Sequence, residues 1–186
     1  LILASGQDVP YWGDTTYSIF AYNKTDLSLG KKIGISNLAG DLIVKGDSAY
    51  ILINGGATGK NSTMGIINLK TLTLEREIAL ADNGLGVQTL VAKDDKLYAV
   101  RGASESLTSQ VLAFNTGNNS FEVFPTGSLQ VPYPGMPSAV QPMTGDSILL
   151  VREGGFSVFN TQSNTVLNTP IMPPATAYMQ PGTALY

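Results

Sequence analysis

Cysteine and histidine are both absent from the 186 residues, and these two zeros remove whole classes of chemistry. Without them there is no thiol nucleophile, no disulfide, no Ser-His-Asp triad, no histidine-held zinc and no imidazole acid or base. A metal would have to be held by oxygen ligands, as calcium is. Charge is also scarce. Asp, Glu, Lys and Arg make up 13% of the chain, about half the roughly 25% of an average soluble domain. The 11 Lys and Arg are scattered without a basic run, and the net charge is −3, so no phosphate-binding surface and no nucleic-acid partner are expected. No run of about 18 apolar residues is present to cross a membrane as a helix. Any targeting segment or lipid anchor would lie outside these residues. The opening Leu1-Ile2-Leu3, without an initiator Met, is expected of a mature, processed or partial chain.

What is present is repetition. A short apolar strand, a Gly-containing loop, a second apolar strand, a polar turn and a third strand recur four times, with Gly6, Gly55, Gly102 and Gly154 at spacings of 49, 47 and 52. Units of about 40 to 50 residues built from strands alone are the signature of propellers, whose blades bury their faces against one another. Period-2 alternation predicts strands a to d over 41–44, 49–53, 65–69 and 72–80, then 88–92, 97–100, 110–114 and 120–124, then 138–141, 147–151, 156–159 and 165–167. No window carries a 3.6 period, so essentially no helix is expected. Turn residues agree in phase. Lys45-Gly46-Asp47, Lys93-Asp94-Asp95 and Thr144-Gly145-Asp146 separate strands a and b, and Asn23, Asn68, Asn115 and Asn160 open the c–d turns.

The expected fold is therefore all-β, a β-propeller of four-stranded antiparallel blades with about four blade units visible. The whole of 1–186 reads as one propeller domain or propeller segment, with a partial blade at 1–33, blades at 40–80, 87–125 and 137–169, and a closing or next-blade strand at 175–186. The last of these, Ala175 to Tyr186, repeats the strand a, turn and incipient strand b of Ala139 to Ile148, while Leu1 begins where such a strand b would continue. Either the final strand closes a four-bladed ring onto the opening strands, or the chain is part of a larger ring, and the rarity of four-bladed rings favours the second.

The c–d hairpins, Ile66 to Leu74, Val111 to Phe121 and Val158 to Val166, resemble the YVTN or surface-layer type of propeller repeat. Asn stands after strand c where that repeat usually has Asp. The resemblance covers nearly the whole chain. It implies a non-enzymatic cell-surface lipoprotein of the cell envelope that captures a small ligand, such as a corrinoid or iron chelate, for an outer-membrane transporter. Other members of that broad group are lactonase-like enzymes, so the alternative is an oxygen-ligand metal hydrolase, with Asp8, Asp14 and Asn54 as its loop candidates and calcium as its metal.

Propellers place function where loops from several blades converge. The loop Gly6 to Asp14 carries Tyr11 beside Trp12, the only Trp; the pair is a stacking surface for a flat or sugar-like ligand, or else packs on its own blade. Lys60 follows glycines in 55–59, yet a strand rather than a helix comes next, so this is no phosphate loop. Arg101 and Arg152 share a phase just after strand b, where two guanidinium groups would clamp an anionic ligand or would pair with Glu105 and Glu153. Tyr133 sits in the Pro-rich connection 131–137, either as a presented contact or as part of an interblade linker. The chain is expected to be extracytoplasmic, at the cell surface or in the periplasm, to bind a small molecule or partner protein through Tyr11, Trp12, Lys60, Arg101, Tyr133 and Arg152, and to need no cofactor.

Overall fold

A computed structural model of the chain describes residues 1–8, 15–55, 61–80, 89–101, 110–126, 139–152 and 155–167. The backbone divides into two compact units, Leu1–Gly84 and Leu85–Tyr186. Among the described residues there is no helix; the chain is a succession of antiparallel meanders.

The first unit holds two sheets. β1 (Ile2–Asp8), β2 (Thr16–Tyr22) and β3 (Leu29–Ile35) form a three-stranded sheet. β4 (Ala39–Lys45), β5 (Ser48–Ile53), β6 (Thr63–Asn68) and β7 (Thr73–Ala79) form a four-stranded one. Alternation along each strand decides the packing. Ala49, Ile51 and Ile53 share one face of β5 and join Ile67 against Ile19 and Ile33 of the first sheet. Tyr50 and Leu52, on the opposite face of β5, are buried as well. That is why Ala49 to Ile53 reads as an unbroken apolar run instead of an alternating one.

The second unit repeats the plan with β8 (Leu90–Lys93), β9 (Lys96–Arg101), β10 (Gln110–Asn115) and β11 (Ser120–Pro125), followed by β12 (Ala139–Pro142), β13 (Ser147–Arg152), β14 (Gly155–Asn160) and β15 (Thr165–Val166). Its core joins Tyr98, Val100 and Val111 of one sheet to Val140, Ile148, Leu150 and Phe159 of the other. The Phe159 ring lies 6.3 Å from that of Tyr98 and 6.0 Å from that of Phe124. These tilted aromatic contacts contribute about 0.5–1.5 kcal/mol each beyond the area they bury.

Strand bounds fall close to those read from the alternation, and the opening sheet has the three strands b, c and d expected of it. One reading is corrected. Gly6 does not end its strand: it pairs with Ser18, and the ladder runs two pairs further, Gln7 with Tyr17 and Asp8 with Thr16. Backbone hydrogen bonding at 7 and 8 thus outweighed the loop-like look of Gly6-Gln7-Asp8. The segment 175–186 lies outside the described residues.

Candidate functional site

A meander sorts its connections by end. In every sheet the a–b and c–d links leave from one end, and the b–c and d–a links leave from the other. At the first end the links are two to six residues long, and Asn opens the c–d ones. Asn23 Oδ1 accepts the Thr25 amide at 2.9 Å, Asn68 Oδ1 the Lys70 amide at 2.9 Å, Asn115 Oδ1 the Gly117 amide at 2.8 Å and Asn160 Oδ1 the Gln162 amide at 3.0 Å. Four residues on, Leu27, Leu72, Asn119 and Asn164 all have φ between 52° and 57°. The a–b turns are equally uniform, with Gly46 at φ 61°, Asp94 at 54° and Gly145 at 62°. Asn in place of the repeat's usual Asp therefore retains the acceptor that caps the turn.

Within each unit the two sheets point the same way. Lys31 Nζ donates to the Thr71 carbonyl at 3.1 Å at the turn end of the first unit, and the Ser36 amide donates to Glu77 Oε1 at 2.9 Å at its loop end. In the second unit Lys93 Nζ reaches the Met143 carbonyl at 3.1 Å at the turn end, and the Val140 amide donates to Thr89 Oγ1 at 3.0 Å at the loop end.

The loop end differs from sheet to sheet. Its links range from two residues between β13 and β14 to thirteen between β11 and β12. Of the residues expected here, Tyr11, Trp12, Lys60 and Tyr133 lie outside the described residues, as does Asp14. Arg101 and Arg152 are the last residues of β9 and β13 rather than the first residues beyond them, paired with Gln110 and Gly155. Counting back from the turn Asn shows that Ile53 and Gly6 hold the matching positions in the other two sheets. Arg101 and Arg152 do share a phase at the loop end, and their backbones are all that is described.

A cleft of about 660 Å³ opens at this end of the first unit, lined by Thr16, Ser18, Lys32, Ser36, Leu74 and Glu77 among others. Its charged groups are engaged. Lys32 Nζ is paired with Asp8 Oδ2 and stands 5.6 Å from the centre of the Phe20 ring. Glu77 accepts the Ser36 amide with one oxygen and the Thr63 hydroxyl, at 3.4 Å, with the other. Asp8, offered as a metal ligand on a loop, is instead a strand residue neutralised by a lysine. Among the described residues no three acidic groups gather as a metal site. Glu77 was not singled out from the sequence, and nothing in its neighbours Glu75 and Arg76 signals that it ties down the β3–β4 link.

Among the described residues, the groups with displaced pKa values all lie away from the loop end. Burial, the largest cause, raises Tyr98; a hydrogen bond to Glu122, at 3.1 Å, raises Lys96; and hydrogen bonds from Ser28 lower Asp26. Asp26 lies in a c–d turn and Lys96 opens β9 beside an a–b turn. The perturbations follow from the scaffold.

No protein-family model and no curated protein sequence matches the chain. Solved structures do. KlAtg21, in complex with the coiled coil of AgAtg16, aligns with a TM-score of 0.56 at 12% identity over 83% of this chain and 47% of its own. The computationally designed Ika8 protein aligns with a TM-score of 0.53 at 10% identity, covering 82% and 42%. The Pan2 WD40 domain of Neurospora crassa aligns with a TM-score of 0.52 at 14% identity, covering 90% and 50%. The chain thus spans about half the length of these proteins, and at such identities the likeness establishes one thing, the propeller-type fold.

Proposed function

We propose that this chain is a non-enzymatic binding protein whose loop end receives a small molecule or a partner protein, and that it works outside the cytoplasm as a surface-layer-type propeller. The observation that carries this reading is the division of labour between the two ends of each sheet. Seven turns at one end are short and each holds a left-handed residue, four of them under the same Asn cap, whereas the links at the other end vary in length from two to thirteen residues. A surface that varies on a constant scaffold is where recognition is placed. The fold supports binding or scaffolding in general; KlAtg21, for example, is solved with a coiled coil bound.

Surface display, a lipid anchor and delivery of a corrinoid or iron chelate to an outer-membrane transporter are the finer form of this proposal. The lack of Cys and the low charge of the chain are compatible with it. The test is calorimetric titration of the purified chain with a cobalamin and with a ferric siderophore, alongside affinity capture of partner proteins from the source cells. Binding that is lost in the Trp12→Ala/Tyr133→Ala double variant, with unfolding unchanged, is the expected result. A double variant that binds like the parent sinks the placement of the site. Calcium-dependent hydrolysis of a lactone would replace the reading with the hydrolase one.

A further inference from the structure

Ser18 stands at the centre of a block of side chains on one face of the first sheet. Gly6 of β1 and Gly34 of β3 flank it; Ala4, Phe20 and Lys32 form the row on the turn side, and Asp8 and Thr16 belong to the row on the loop side. Opposed residues of an antiparallel ladder share a face, as do residues two apart along a strand. Lys32 and Asp8 are therefore at opposite corners of the block, and their ion pair crosses over Ser18. This is why Ser18, set between two residues without side chains, is only 2% exposed. Its hydroxyl has no hydrogen-bond partner among the described residues. A buried hydroxyl without a partner is unfavourable, and Ser18 lines the cleft of about 660 Å³ at the loop end.

On the β1 side of Ser18 the space is taken. The Phe20 ring leans over Gly6, where an added Cβ would stand 2.8 Å from Cε2. On the β3 side it is open: a Cβ added to Gly34 would meet nothing within 4 Å. Gly34 and Lys32 line the cleft with Ser18, and so does Glu77 of β7. Glu77 is fixed by the Ser36 amide on one oxygen and the Thr63 hydroxyl on the other. It is thus oriented in advance, and each carboxylate oxygen keeps a lone pair for a further donor.

The chemistry of this lining selects a ligand. The charges of Lys32 and Asp8 balance, so an anion would have to displace Asp8 and a cation would have to displace Lys32. An apolar ligand would leave the Ser18 hydroxyl unanswered and bury the ion pair. A neutral molecule with several hydroxyls answers every group: it donates to Asp8 and Glu77 and accepts from Lys32 and Ser18. Both members of the ion pair are half-exposed, so the pair contributes little and shifts readily to admit such a ligand. The volume also falls within the roughly 300–1,000 Å³ of small-molecule sites. We propose that the cleft is a binding site for one or two sugar units of a neutral glycan, with Ser18, Lys32, Asp8 and Glu77 as its hydrogen-bonding groups. It involves none of Tyr11, Trp12, Lys60, Arg101, Tyr133 and Arg152, and is independent of any ligand they hold.

The test is an array of neutral and acidic oligosaccharides probed with the purified chain, followed by calorimetric titration of the best neutral binder against variants. At least one neutral oligosaccharide is expected to bind, and Ser18→Ala to weaken it about tenfold, the effect of one lost hydrogen bond. Gly34→Val fills the open part of the cleft at a strand position that suits a β-branched residue. It is expected to abolish binding with an unfolding midpoint no lower than the parent's; if it does not fold, Ser18→Ala decides alone. Trp12→Ala/Tyr133→Ala is expected to bind the sugar as the parent does. An array on which no neutral glycan binds overturns the proposal, and so does a preference for acidic glycans. A sugar whose affinity survives both Ser18→Ala and Gly34→Val, or is lost only in the Trp12/Tyr133 double variant, overturns it as well.

Discussion

The ring of Phe20 lies over Gly6, so close that a Cβ added to the glycine would stand 2.8 Å from Phe20 Cε2. In the second sheet the same two positions hold Ile53 and Gly65, with the large and small residues exchanged, and a Cβ on Gly65 would stand 2.9 Å from Ile53 Cδ1. One diagonal cross-strand site is thus filled from opposite sides in adjacent sheets. Gly6→Ala is expected to cost about 1–3 kcal/mol, the usual penalty of overpacking. Phe20→Leu should recover part of that cost, because the atoms in conflict belong to the ring. A double-mutant cycle by urea denaturation measures the coupling. Additive effects would mean that the two residues do not share the site.

Gly6 also shows what the sequence conveys and what it hides. Four asparagines at one phase announced the c–d turns, and β-branched and aromatic runs announced the strands, because turn caps and apolar alternation are local properties. Gly6 looked like the glycine of a strand end since Gly suits both a turn and a close approach. Which of the two applies depends on Phe20, fourteen residues away. Asp8 misled in the same way: its partner, Lys32, is on β3, and no local pattern joins them. The phase shared by Arg101 and Arg152 was legible from the repeat. The tie from Glu77 to the Ser36 amide was not, because it links two sheets and has no counterpart in the repeat.

Phe159 is fully buried at the meeting of two sheets, against Tyr98 and Phe124. Phe159→Ala is expected to cost about 3–5 kcal/mol, because the cavity is walled by rigid strands that cannot collapse into it. Phe159→Leu should cost less than half as much. Guanidinium unfolding followed by Tyr fluorescence checks both; equal losses would mean that ring shape, not volume, sets the cost.

Leu27 and Leu72 occupy the same left-handed turn position, with φ of 57° and 52°. A β-carbon there costs roughly 1–2 kcal/mol, and glycine removes that strain at some cost in chain entropy. Leu27 is 65% exposed, so Leu27→Gly is expected to stabilise by about 0.5–1 kcal/mol. Leu72 packs against the core of the first unit, so Leu72→Gly is expected to destabilise by about 1 kcal/mol as lost burial outweighs relieved strain. Opposite signs in thermal melts are the outcome to look for. A gain in both would show that the Leu72 contact contributes little.

Tyr98 and Lys96 stand together at the start of β9, and both keep their protons to higher pH in the folded chain than in the unfolded one. Burial is the main cause for Tyr98, and the hydrogen bond to Glu122 for Lys96. As pH rises past about 10, where free Tyr and Lys begin to titrate, the unfolded chain releases these protons first. The folded state then holds more protons, and stability falls with rising pH. The contribution is fully present below the unfolded values and disappears through the folded ones. Asp26 acts at the other extreme: its carboxyl is lowered by hydrogen bonds from Ser28, so its contribution is present above the ordinary Asp range and is lost as pH falls through the lowered value. Urea midpoints measured from pH 7 to 11 should therefore decline steeply only above about pH 10. Tyr98→Phe should flatten part of that decline, and Glu122→Gln a further part, even though each variant starts from a lower plateau. A Tyr98→Phe variant with the parent's alkaline slope would show that the phenol does not contribute to it.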